Sequence, residues 1–139
     1  NRNLGGAGGF TRSMIEAKKA SREKHFTHIL MMDDDVRLNP DSLLRTYAML
    51  RLLKSEYCDA FIGGHMLKLD FPSIQSEAAD YWDTASHHPV KQNYDLTLPD
   101  LLIQNEIEDS INYLSWWYCC MPIDVISDNN LPLPVFIRL

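Results

Sequence analysis

An α/β fold with a mostly parallel sheet is what this sequence predicts, and three features predict it. Helical and strand-like patterns alternate along the chain, the strand-like runs are short and nearly all apolar, and the first of them ends in three consecutive carboxylates. A run without polar alternation is what a central strand covered on both faces requires. Sheets of this kind bind ligands beyond the carboxyl ends of their strands, which sets Asp33-Asp34-Asp35 at a binding edge.

The elements follow in order. Gly5, Gly6, Gly8 and Gly9 crowd into five positions, too local for a linker, and a helical pattern follows at once through Phe10, Met14 and Ala17 to about Lys24. This reads as a Gly-rich turn feeding a helix N-terminus. Thr27–Met32 is the first strand. Asn39-Pro40-Asp41-Ser42 is a helix start, with Asn as N-cap, Pro in the first turn and an acid near the positive end of the dipole. Leu43, Leu44, Tyr47 and Leu50 carry that helix to about Lys54. Residues 59–69 form a second strand interrupted by Gly63-Gly64, where a bulge or the close approach of a ligand is expected. A short helix is expected at Ile74–Tyr81, a polar loop through His87-His88-Pro89, and loop or weak helix after it. Asn112–Met121 is strand-like and aromatic, residues 122–127 make a helical turn, and Leu131-Pro132-Leu133-Pro134 leads into a last strand.

The chain of 139 residues is 45% apolar and 23% charged, the balance of an ordinary folded domain rather than a disordered or disulfide-stapled one. No run approaches the roughly 20 apolar residues that cross a bilayer. Three cysteines without a C-x-x-C pair argue against a disulfide frame or a zinc site and point to a reducing cytoplasm. The net charge of −6 divides unevenly, with +4 in residues 1–30 and −10 in the remainder. An acidic bulk excludes a duplex nucleic-acid binder.

Three consecutive carboxylates at the end of a buried strand repel one another, so a counter-cation is expected. Asp33 and Asp35 are spaced to aim at one point and to hold Mg²⁺ or Mn²⁺, leaving other positions to water and phosphate oxygens. The bland alternative is an acidic loop that only caps the next helix. Residues 3–10, with Arg12 beyond them, offer backbone N–H groups and a helix dipole to a diphosphate; structurally, the glycines need only permit a tight turn. Trp116-Trp117, if alternating along a strand, would send one indole into the core and leave the other for a sugar ring. Cys119 and Cys120 read as core filling, and His65, His87 and His88 show no metal spacing.

Taken together, Asn3-Leu4-Gly5-Gly6-Ala7-Gly8-Gly9-Phe10-Thr11-Arg12, Ile29–Ser42 with its acidic triplet, Gly63-Gly64-His65-Met66-Leu67, Trp116-Trp117 and Leu131-Pro132-Leu133-Pro134-Val135-Phe136-Ile137 resemble galactofuranosyltransferase-type members of glycosyltransferase family 2. That resemblance implies a GT-A fold, a Rossmann-like nucleotide-diphospho-sugar transferase architecture. It implies inverting transfer of a sugar, galactofuranose in the best-matching branch, from a UDP-sugar donor to a glycan or lipid-linked glycan acceptor in cell-surface polysaccharide synthesis. By the same resemblance Asp33 and Asp35 hold Mn²⁺ or Mg²⁺, Asp34 supports them, Asn3 and Arg12 lie at the nucleotide, and Trp116, Trp117 and Glu77 lie on the acceptor side.

The family pattern continues into an Asp-Asp pair that supplies the general base, expected just beyond Leu139, and then a histidine for the metal; neither falls within residues 1–139, and no catalytic residue is assigned there. The expectation is therefore the central part of one GT-A domain, without its first nucleotide-binding units and its base, inactive alone, working in the cytoplasm at the inner face of the plasma membrane, with any peripheral membrane association supplied from outside this segment. Two alternatives remain: a non-catalytic sugar- or nucleotide-binding fragment, and a haloacid-dehalogenase-like phosphatase using Asp33 as nucleophile and Asp35 as acid.

Overall fold

A computed structural model describes residues 5–132. Asn3, the expected last strand and Leu139, beyond which the general base is expected, all lie outside the described residues. Helix α1 (Gly5–Lys24) is followed by strand β1 (His28–Met31), helix α2 (Pro40–Leu52) and strand β2 (Ile62–Gly63). Then come β3 (Met66–Leu67), β4 (Ile74–Glu77), β5 (Ala79–Trp82), β6 (His87–Val90), β7 (Tyr94–Asp95), helix α3 (Pro99–Asn105) and β8 (Cys119–Pro122). The chain is thus mixed α and β.

Every strand pairing among the described residues is antiparallel. The central sheet runs β1-β8-β2, so β1 and β2, joined through α2, point the same way but are parted by β8. The parallel contact expected between them is replaced by two antiparallel ladders. In the first, Met31 faces Cys119 and His28 faces Pro122; in the second, Gly63 also faces Cys119. Two smaller sheets, β3-β4-β7 and β5-β6, complete the fold.

α1 begins earlier than the apolar pattern indicates. The glycines form its first turns rather than a separate loop, and Gly5 enters at φ 65°, a conformation that costs glycine no Cβ clash. Its inward face is the expected one: Met14 is buried, and Phe10 and Ala17 pack beside it on a core of Met31, Cys119, Met121, Ile123 and Ile126. Burying a side chain such as Met121 stabilises by about 1.5–3 kcal/mol. α2 starts as its cap predicts, with Asn39 Oδ1 accepting from the Asp41 amide at 3.0 Å. No α2 residue is buried, and Leu44 and Leu52 face outward.

Three local expectations are corrected. The segment 74–81 is not helical: Ile74–Glu77 pairs with β3 and β7, and Ala79–Trp82 pairs with β6. The loop expected at His87-His88-Pro89 is β6 itself, facing Trp82, Tyr81 and Asp80 in turn. Trp116 and Trp117 lie in a turn ahead of β8, not within a strand, so their sides are not set by strand alternation. The turn expected after β8 is present as a 3₁₀ turn at Ile123–Val125.

Candidate functional site

The register of the central sheet decides which loops meet. Met31, Cys119 and Gly63 stand in one row, at the end of β1, the beginning of β8 and the end of β2. The residues just beyond that row therefore leave the sheet along one edge: Met32 to Asp35, Trp116 to Tyr118, and Gly64-His65. The acidic triplet and the indole pair, some 80 positions apart in sequence, are brought to the same edge.

Side chains lock this edge. The Gly64 amide donates to Tyr118 O at 3.0 Å, and Trp117 Nε1 donates to Gly64 O at 2.8 Å. Both glycines lie tight against neighbouring side chains. A Cβ at Gly64 would sit 2.9 Å from Tyr118 Cγ, and one at Gly63 2.7 Å from Leu114 Cδ2. The close approach expected at this pair is thus made by the protein's own side chains. Tyr118 OH reaches Thr46 Oγ1 at 2.7 Å and donates to Ser42 O at 3.1 Å, anchoring the start of α2 and with it the loop that carries the aspartates.

α1 is aligned with the same edge. Near its start Phe10 meets Trp116 edge-on, ring centroids 4.9 Å apart. Further along, Lys18 Nζ donates to Ile123 O at 3.1 Å, past the opposite end of β8. The Gly-rich N-terminus of α1 thus points toward the acidic edge. Backbone N–H groups of a first helical turn lack intrahelical acceptors and favour an anion. Arg12 lies on the outer face, in an ion pair with Glu16 at 2.8 Å.

Asp33 is half-buried, while Asp34 and Asp35 are exposed. Burial, and the adjoining charges of Asp35 and then Asp34, push the Asp33 carboxyl above the usual carboxylate range. Among the described residues no group of three or more His, Cys, Asp or Glu is arranged around a metal position. Asp33 and Asp35 lie close enough for one charge to act on the other, and carboxylate oxygens are the donor type that a hard divalent cation takes together with water and phosphate oxygens. The general base expected just beyond Leu139 falls outside the described residues.

Trp116 and Trp117 are both half-buried, so neither indole is enclosed in the core. Trp116 packs on the core and lines a cavity of about 370 Å³ with Phe61, Tyr113 and Leu114. Glu77 faces Met66, two residues beyond Gly64. Burial, and then the neighbouring Asp80, raise its carboxyl pKa, against a lowering by His87.

The sequence weighs His87 only for metal spacing and offers no signal for Asp80, yet the structure pairs the two. Asp80 is 1% exposed, and His87 Nε2 stands 2.8 Å from its Oδ1. The contact lacks hydrogen-bond alignment, so Oδ1 has no donor among the described residues, while Oδ2 accepts from Ser115 Oγ at 3.3 Å. The pair was hidden because it depends on β5 pairing with β6, and residues 74–81 carry a helix-like spacing. Cys119 and Cys120 are core thiols as expected, 1% and 5% exposed, with burial pushing Cys119 up to about 11. No described helix is long and apolar enough to cross a membrane.

No family model matches the chain. The chain is similar to two curated proteins, each a galactofuranosyltransferase GlfT2. That of Mycobacterium tuberculosis is 37% identical over 149 aligned positions, and that of Mycolicibacterium smegmatis 34% identical over 149. Each alignment covers 98% of this chain and 22% of the relative, so the chain spans about a fifth of the length of the curated relatives it matches.

Proposed function

We propose that this chain is part of a galactofuranosyltransferase, in which the edge beyond Met31, Gly63 and Cys119 is where donor and acceptor sugars meet. One observation carries the reading: the sheet register brings the Asp33–Asp35 carboxylates and the Trp116-Trp117 indoles to a single edge. The similarity to two galactofuranosyltransferases over nearly the whole chain supports it.

In this reading the architecture is of GT-A type, family 2, and the donor is a UDP-sugar. Asp33 and Asp35 would hold Mn²⁺ or Mg²⁺, with Asp34 alongside, and a cation there would supply positive charge at the departing diphosphate. The N-terminal turns of α1 face the same diphosphate with backbone N–H groups. Asn3 contacts the nucleotide, and Arg12 adds positive charge once it leaves Glu16. Trp116 and Trp117 offer aromatic surface to the acceptor glycan, and Glu77 accepts from one of its hydroxyls. Displacement from the face opposite the diphosphate inverts the anomeric centre.

Calorimetric titration of the chain with UDP, with and without Mn²⁺, tests this reading. Mn²⁺-dependent UDP binding that is lost in Asp33→Ala/Asp35→Ala is expected. Binding of UDP that is indifferent both to Mn²⁺ and to the double substitution would refute the donor site.

A further inference from the structure

The β5-β6 hairpin displays an aromatic surface that the donor and acceptor residues above do not use. Antiparallel partners share a face of a sheet, so Trp82 and its partner His87 project together, and Asp80, two residues before Trp82, projects with them. The third member comes from outside the hairpin. Tyr113 bridges to Asp80 along the other edge of β5, and its ring meets that of His87 at 6.2 Å, nearly perpendicular. The rings of Trp82 and His87 are 6.0 Å apart and tilted by 44°. Trp82 is 56% exposed and Tyr113 48%.

This surface is built, not a chance of exposure. The Trp82 backbone is pinned on one side by β6 and on the other by Asn112, whose side-chain amide accepts from Trp82 N and donates to Trp82 O, both at 2.8 Å. Beneath the rings lies the buried Asp80, whose Oδ1 lacks a hydrogen-bond donor among the described residues and has His87 Nε2 at 2.8 Å. With Nε2 against Asp80 and the ring between Trp82 and Tyr113, the imidazole leaves Nδ1 without a hydrogen-bond partner among the described residues. A fixed, half-exposed polar nitrogen between two exposed aromatic rings matches a sugar, which has one apolar C–H face and hydroxyls around its rim. Tyr113 also lines the 370 Å³ cavity that Trp116 borders, so the surface adjoins the acceptor side.

We infer that Trp82, His87 and Tyr113 form a second saccharide-binding subsite, held in shape by Asp80, which takes a more distant ring of an extended acceptor glycan. The inference rests on the acceptor reading of Trp116, Trp117 and Glu77. A subsite of this kind makes the chain favour long acceptors over short ones.

The test is a fluorescence titration of the full chain with a galactofuranose disaccharide and an octasaccharide, in the parent and in Trp82→Ala and Trp82→Phe, with circular dichroism recording the fold of each. The parent should bind the octasaccharide about tenfold more tightly than the disaccharide. Trp82→Ala should remove that advantage and leave disaccharide affinity unchanged, and Trp82→Phe should restore most of it. An undiminished length preference in Trp82→Ala overturns the subsite while the acceptor reading stands. An equal loss for both lengths also overturns it, because the ring then acts through the fold. Failure of the parent to bind either saccharide overturns the acceptor reading, and the subsite with it.

Discussion

Trp117 Nε1 donates to the carbonyl of Gly64 across 2.8 Å, fastening the turn that begins β8 to the turn that ends β2. The glycine is what permits this approach. In Gly64→Ala the new Cβ would lie 3.0 Å from Tyr118 Cβ and 2.9 Å from its Cγ, atoms close to the backbone that have little freedom to yield. The expected cost is about 1–3 kcal/mol, read as a lower denaturant midpoint. Gly63→Ala meets its tightest contact at a terminal methyl of Leu114, Cδ2 at 2.7 Å, which can rotate away, so its loss should be the smaller of the two. Equal midpoints for Gly64→Ala and the parent would show that the turn is not closely packed.

Tyr118→Phe removes a hydroxyl that reaches Thr46 Oγ1 at 2.7 Å and Ser42 O at 3.1 Å, from a side chain 6% exposed. A loss of about 1 kcal/mol is expected. The more specific outcome is faster amide hydrogen exchange at the start of α2, since no residue of that helix is buried and Tyr118 supplies its anchor. Unchanged exchange in residues 42–46 would contradict the anchoring role.

The three thiols should differ sharply toward a thiol reagent. Cys58 is exposed, whereas Cys119 and Cys120 are buried in the central sheet and burial raises both above the ordinary thiol value. One cysteine should react fast in the native chain and the other two only on unfolding. Rapid native reaction of all three would mean that β8 is not the middle strand.

Two carboxylates of neighbouring strands and turns should titrate in opposite directions. Glu77 is raised by burial and by Asp80, so the folded chain holds its proton more tightly than the unfolded chain does. Its contribution to stability is therefore fully present below its ordinary value of 4.5 and declines as the pH rises through the higher folded value. Asp83 is held down to about 2 by the Ala85 amide, His88 and the Ser86 amide, so its contribution is present above 3.8 and lost as the pH falls through 2. Carboxyl-carbon NMR titrations measure both. Because His87 lowers Glu77, His87→Ala should move the Glu77 midpoint further up. A Glu77 midpoint below 4.5 would contradict the burial of that side chain.

What could be read from the sequence was what is decided locally. The Asn39 cap and the Phe10, Met14 and Ala17 stripe are set by neighbours within a turn, and each appears where expected; the apolar run of β1 does form a strand, but among the described residues it lies at the edge of its sheet rather than the centre, with Met31 alone buried. Residues 74–90 depart from the helix and loop that the sequence predicts because their structure is non-local. Ile74, Ala78 and Tyr81 have helical spacing, but Gln75 is 0% exposed, with its Nε2 bonded to Lys91 O and Asn105 Oδ1, partners 16 and 30 residues away. The turn between β6 and β7 uses φ near 55° at Lys91 and Asn93, with no glycine to announce it. The acidic triplet and the indole pair were visible singly. Their shared edge was not, because it depends on β8 inserting between β1 and β2.

That shared edge is the central claim, and paramagnetic NMR with Mn²⁺ tests it most directly. Substoichiometric Mn²⁺ should selectively broaden the indole N–H signals of Trp116 and Trp117 and the amide of Gly64. The Lys18 and Ile123 amides at the opposite end of the sheet should stay sharp, and Asp33→Asn/Asp35→Asn should abolish the effect. Broadening centred on the Ile123 end, or persisting in the double variant, would contradict the account.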